Sequence, residues 1–129
     1  MIKKLGACLL CVVCLMMPMT LPAAQHEIFV PGLTFEYELP PNAPQVFTNV
    51  FLWTVKGNCT MLSEEENTLI QVKALRKTGS INHIDLSEGD SVLFNVKNGD
   101  VFYIVAHSGA QVELTNQGQK TIIARCSSA

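Results

Sequence analysis

From residue 79 onward the chain is cut at short, even intervals. Glu88-Gly89-Asp90, Asn98-Gly99-Asp100, Ser108-Gly109 and Gln117-Gly118 place a turn-forming pair about every ten residues. The runs between them, SVLFNV and VFYIVA among others, are rich in Val, Ile and Phe and have the length of strands. Helices that short gain little from propensity. Asn98-Gly99 carries the strongest signal, because a tight reversal needs positive φ and these two residues tolerate it best. The expectation is a meander of hairpins.

Alternation extends this reading toward the N-terminus. In VFTNVFLWTVKGNCTM, Phe51, Trp53, Val55 and Cys59 share one parity, so a regular strand points Trp53 and Cys59 inward together. In TIIARC, Ile122, Ala124 and Cys126 share a face. The segment SEEENTLIQVKALRKTG is double-edged: Ser63 and Glu66 fit a helix capping box, but Ile70, Val72 and Ala74 alternate with Gln71, Lys73 and Leu75. Its all-β surroundings favour a strand. Phe35, Tyr37 and Leu39 alternate likewise, within a stretch holding Pro31, Pro40, Pro41 and Pro44 that restricts it to edge segments. About seven or eight strands result, the pattern of an all-β antiparallel sandwich, immunoglobulin-like or related, with a small β-barrel as the alternative.

The first 24 residues have a different character. Lys3 and Lys4 precede an apolar run from Leu5 to Met17, followed by a Pro18–Ala24 segment ending in small residues. This is the layout of a secretory signal peptide, with cleavage expected after Ala24. Cys8, Cys11 and Cys14 stand at C-x-x-C-x-x-C spacing, but no charged or histidine partner accompanies them. They serve there as small hydrophobes. The apolar run is also shorter than the roughly 20 residues of a membrane span.

Removing residues 1–24 leaves one domain, residues 25–129, of 129 − 24 = 105 residues. Lys3 and Lys4 leave with it, so 7 Lys and Arg stand against 11 Asp and Glu, a formal charge of −4. That balance argues against a nucleic-acid partner, which requires clustered basic residues. Cys59 and Cys126 are the cysteines that remain, and in an oxidising compartment they are expected to form one disulfide.

Local signatures of catalysis are missing from the sequence. His26, His83 and His107 lie outside metal-ligand spacing of one another. His26, beside the new terminus, is expected to be disordered. A polar site built from His83 and His107 with Asp85, Asp100 or Asp90 is the enzymatic or metal-binding alternative. Ser108 adjoins His107, yet neighbours on a strand face opposite ways. The Gly-Asp pairs lack the spacing of calcium loops, and Glu64-Glu65-Glu66 reads as a solvated loop. No cofactor motif is found.

The strings Lys56-Gly57-Asn58-Cys59, Ser108 to Asn116 and Ala124-Arg125-Cys126 resemble small exported proteins of unknown function from Gram-negative intracellular bacteria. Ser108-Gly109-Ala110 ahead of Cys126 is also similar to periplasmic lysozyme inhibitors, whose order of motifs is not reproduced. The first resemblance implies export, to the periplasm or beyond, and supplies no catalytic residues. The expected activity is that of a non-enzymatic binding protein with a protein or glycan partner, contacted through edge strands or the loops at one end of the sandwich. A small hydrolase or metal-binding protein and an enzyme inhibitor are the alternatives.

Overall fold

A computed structural model describes residues 23–27 and 33–128 of the chain. The expected leader lies outside the described residues as far as residue 22. Eleven strands follow one another with no helix among the described residues: β1 (Ala24–Glu27), β2 (Thr34–Leu39), β3 (Gln45–Thr48), β4 (Val55–Leu62), β5 (Thr68–Arg76), β6 (Thr78–Ile81), β7 (Ile84–Ser87), β8 (Ser91–Val96), β9 (Val101–Ala106), β10 (Gln111–Asn116) and β11 (Ile122–Ser128). They form a sandwich of a five-stranded sheet, β1-β3-β10-β5-β8, and a six-stranded sheet, β2-β11-β4-β9-β6-β7. Among the described residues the ladders between strands are antiparallel except that of β1 with β3, which is parallel; an isolated bridge between Pro41 and Asn116 is also parallel.

The pairing is nested. β3 pairs with β10, β4 with β9, β5 with β8 and β6 with β7, as though one long two-stranded ribbon had been rolled up from its tip. This is the wiring of a jelly roll, with β1, β2 and β11 added at its margins. The tip is the turn between β6 and β7, where Asn82 and His83 take φ of 50° and 67° and Ile81 lies opposite Ile84. Two central residues at positive φ are what a type I′ hairpin turn requires. Asn82 is held to β9 by its N–H on the Tyr103 carbonyl and by its Oδ1, which accepts from the Tyr103 N–H, both at 2.8 Å.

Asn98-Gly99 forms a tight turn, with Gly99 at φ 89°, but it does not join a hairpin. It carries the chain from β8 in one sheet to β9 in the other. The Gly99 N–H and the Asp100 carbonyl bond to the Met61 carbonyl and N–H at 2.7 Å, so the turn extends the ladder with β4 and leaves β8 and β9 unpaired with each other. Every connection apart from β6–β7 crosses between the sheets in this way. The expected meander is therefore replaced by a winding in which consecutive strands face one another across the core.

Alternation holds where strands are regular. Val55, Cys59 and Met61 of β4, Ile70, Val72 and Ala74 of β5, and Ile122, Ala124 and Cys126 of β11 are buried. The segment that could have been helix is strand β5 over nine residues. Cys59 lies directly opposite Cys126 in the β4–β11 ladder, and the two are joined in a disulfide. It pins the last strand, which carries β2 on its other edge.

Trp53 departs from expectation: it is 55% exposed and precedes β4 in a bend, so it does not pack beside Cys59. An inward Trp53 requires a strand running unbroken from Val46 to Met61, and the strand stops at Thr48 and resumes at Val55, with Asn49 at the break. His26, expected to be disordered, is part of β1, paired with Phe47. Its ring stacks on Phe47 at 5.0 Å and meets Tyr37 edge-on at 5.4 Å, while its Nε2 is 2.8 Å from Gln45 Oε1. Aromatic packing thus anchors a strand too short to hold by its ladder alone.

Candidate functional site

The two ends of the sandwich are closed by the same device with different contents. Asn49, fully buried at the end of β3, accepts the Phe51 N–H on Oδ1 at 2.9 Å. Its Nδ2 donates to the carbonyls of Trp53 at 2.9 Å and Ala106 at 3.0 Å. Asn116, fully buried at the end of β10, repeats the pattern at the other end. Its Oδ1 accepts the Gly118 N–H at 2.8 Å, and its Nδ2 donates to the carbonyls of Lys120 and Leu39 at 2.8 Å. In each case the side chain closes a loop between positions two and four further on and ties it to the opposite sheet.

What the loops display differs. The loop braced by Asn116 carries Gln117, Gly118, Gln119 and Lys120, and Glu65 Oε1 accepts the N–H groups of Gln119 and Lys120 at 2.7 and 2.8 Å. Glu64 adds an ion pair to Lys120 at 3.4 Å. The acidic run is thus not wholly a solvated loop, since Glu65 is a fixed part of the polar end. The loop braced by Asn49 carries Val50-Phe51-Leu52-Trp53. Val50 is 52% exposed and Leu52 92%; Phe51 turns back onto the core and Trp53 stacks on it at 4.9 Å. Leu33, 53% exposed, lies just ahead of β2 at the same end of the sandwich. A polar loop satisfies the same bracing geometry, so the fold does not demand the apolar tip.

The braced apolar loop has a polar base. Ser108 Oγ donates to the Phe51 carbonyl at 2.7 Å, which gives this serine a positioning role beneath the loop. The Gly109 N–H donates to the Asn49 carbonyl at 3.1 Å. The Lys77 side chain runs beside Gly109, its Cγ and Cε 3.8 Å from where a Cβ would stand. Lys77, at φ 60°, is the single residue by which the chain passes from β5 to β6.

The polar residues considered as an alternative site are dispersed. His83 sits at the ribbon tip with its ring 5.6 Å from that of Tyr103. His107 follows the end of β9 and bonds through Nδ1 to Thr78 Oγ1. Tyr103 and His107 are four residues apart along the strand, about 13 Å at the usual rise. Asp85 lies opposite Ser80 in the edge hairpin. Asp100 accepts the Lys97 N–H at 2.8 Å, as Asp90 accepts that of Ser87 at 2.9 Å, so both carboxylates close turns. Among the described residues no three His, Cys, Asp or Glu side chains gather where they could hold a metal ion.

No known family, curated protein or solved structure matches this chain. Its site therefore rests on geometry alone. The sequence signal for it was Asn49, a turn-forming residue inside an apolar run, followed by four consecutive apolar side chains that a half-buried strand cannot accommodate on one face.

Among the described residues no helix is long and apolar enough to cross a membrane. The Cys59–Cys126 bridge is compatible with an exported protein.

Proposed function

We propose that this chain is an exported, non-enzymatic binding protein, acting in the periplasm or outside the cell, whose contact surface is the apolar end of the sandwich. The leader pattern of residues 1–24 and the disulfide support export. One observation carries the choice of surface: Leu52 is 92% exposed on a loop whose backbone is fixed by a buried asparagine. Exposed apolar side chains cost solubility, and a rigid scaffold holding them out reduces the entropy lost when a partner covers them. The loops of a sandwich can vary without disturbing its core, so they are where recognition is built.

The test compares the wild-type protein with Leu52→Asp, both immobilised and exposed to cell-envelope and host-cell fractions. Retention by the wild type and not by the variant supports the reading. Equal retention by both, or none by either, sinks it. The same rigid loop suits an enzyme inhibitor, which would reveal itself as inhibition of one enzyme class without turnover and with the same dependence on Leu52.

A further inference from the structure

Resting on the choice of surface made above, we infer that the occupant of the apolar end is a lipid bilayer surface, engaged by insertion of the Val50-Phe51-Leu52-Trp53 loop into its interface. At this end the exposed large apolar side chains are Leu33, Val50, Leu52 and Trp53, while Leu69, Ile84, Leu93 and Val101 are exposed elsewhere. Together the four at this end cover well under the roughly 800 Å² that each partner contributes to a stable protein complex. A bilayer needs no such area from one loop, since apolar side chains gain by leaving water wherever they enter the acyl region. Aliphatic tips beside a tryptophan are the combination that favours the boundary, with leucine reaching the acyl chains and the indole at headgroup level. A glycan would instead require hydrogen-bonding groups beside the aromatic face, and Val50 and Leu52 offer none.

Cations stand near the base of the loop. At this end the exposed cations Arg76 and Lys77 lie at the corner from β5 to β6, and Lys77 runs beside the base of the loop through Gly109. The carboxylates of Glu88 and Asp90 belong to the turn between β7 and β8, at the far margin of both sheets. That is three strands from β3, about 14 Å at the usual spacing. Glu64, Glu65 and Asp100 all lie at the opposite, Asn116-braced end. Glu27, opposite Thr48 on the neighbouring β1 edge, is the acidic position in closest register with the loop, so an anionic headgroup layer would meet Lys77 before the carboxylates of those turns but with Glu27 on the adjacent strand.

Trp53 is the chain's single tryptophan, so its fluorescence reports on this loop alone. The purified protein is mixed with phosphatidylcholine vesicles, with and without phosphatidylglycerol. The expected result is a shift of Trp53 emission to shorter wavelength and its quenching by lipids brominated along the acyl chains. Leu52→Asp should lower partitioning about tenfold or more with an unchanged thermal midpoint, and Lys77→Glu should weaken binding to the phosphatidylglycerol vesicles alone. Unaltered Trp53 emission with both vesicles overturns the inference, as does vesicle binding that survives Leu52→Asp. If the vesicles leave Trp53 unaltered but Leu52 still governs capture of a protein or glycan, the lipid assignment falls and the binding-protein reading stands. Failure of both measurements removes both.

Discussion

Asn49 and Asn116 make the same bonds at opposite ends of the sandwich: each accepts from the N–H two residues on, and each donates to the carbonyl four residues on and to a carbonyl of the other sheet. One brace holds a polar loop and the other an apolar one. The contrast separates what the fold requires from what it displays. The fold requires the asparagines, whereas the side chains at the loop tips are free to serve a partner.

Asn49→Ala would remove the side-chain donor to the carbonyls of Trp53 and Ala106 and leave the Phe51 N–H without its acceptor. A loss of about 2–4 kcal/mol is expected. Asn116→Ala should cost a similar amount. Leu52→Asp, on a side chain that contacts mostly solvent, should change stability by no more than about 0.5 kcal/mol. Urea unfolding of the three variants checks the ordering; equal effects at Asn49 and Leu52 would contradict it.

The disulfide closes a loop between residues 67 apart in sequence. Replacing both Cys59 and Cys126 by Ala should destabilise the domain by about 4 kcal/mol, because the unfolded chain regains the freedom that closure removed. Because β11 lies between β4 and β2, amide exchange should rise first in β2 and β11. The natural protein should weigh two hydrogen atoms less without reductant than with it.

Gly79 faces the backbone of β9, and a Cβ there would fall within contact distance of the Val105 carbonyl oxygen. Backbone cannot turn aside as a flexible side chain can. Gly79→Ala should therefore cost about 2 kcal/mol. Gly118→Ala brings a Cβ to 2.7 Å from Thr68 Cγ2 and 2.8 Å from Glu65 Oε1, and should loosen the acidic loop. Thermal unfolding and exchange at the Gln119 and Lys120 amides would register each effect.

Burial raises the pKa of Tyr37 above its ordinary 10.0. The folded protein thus holds this proton more tightly than the unfolded chain does. The contribution is fully present below pH 10.0 and is lost as pH rises through the folded-state value. Stability should fall as pH rises past 10.0 toward the folded-state value, and Tyr37→Phe should flatten the alkaline limb. Denaturant midpoints that decline as steeply in the variant as in the wild type would rule out Tyr37 as the source.

Much of the architecture is local in origin and could be read along the chain. The alternation in β5 and β11, the inward parity of Cys59 and Cys126, and the turns at Gly89, Gly99 and Gly109 all depend on residues within one strand or one reversal. Period-two burial and positive φ leave direct marks in composition. What could not be read is which strand lies beside which. Asn98-Gly99 reverses the chain equally well within a sheet or between sheets, and the outcome is decided by Met61, whose backbone takes up the groups of that turn. His83 was legible as a turn residue but not as the tip of the whole ribbon.

The same division explains the candidate site. From sequence alone, Val50 to Trp53 continue a strand and Trp53 belongs in the core. The side chain of Asn49 reverses this by bonding to the carbonyl of Ala106, 57 residues away. Elements that depend on neighbours in the chain were determined by the sequence itself. The exposure of the apolar loop was decided by tertiary structure, because a long-range hydrogen bond to a buried carbonyl outweighs a local preference for extended pairing.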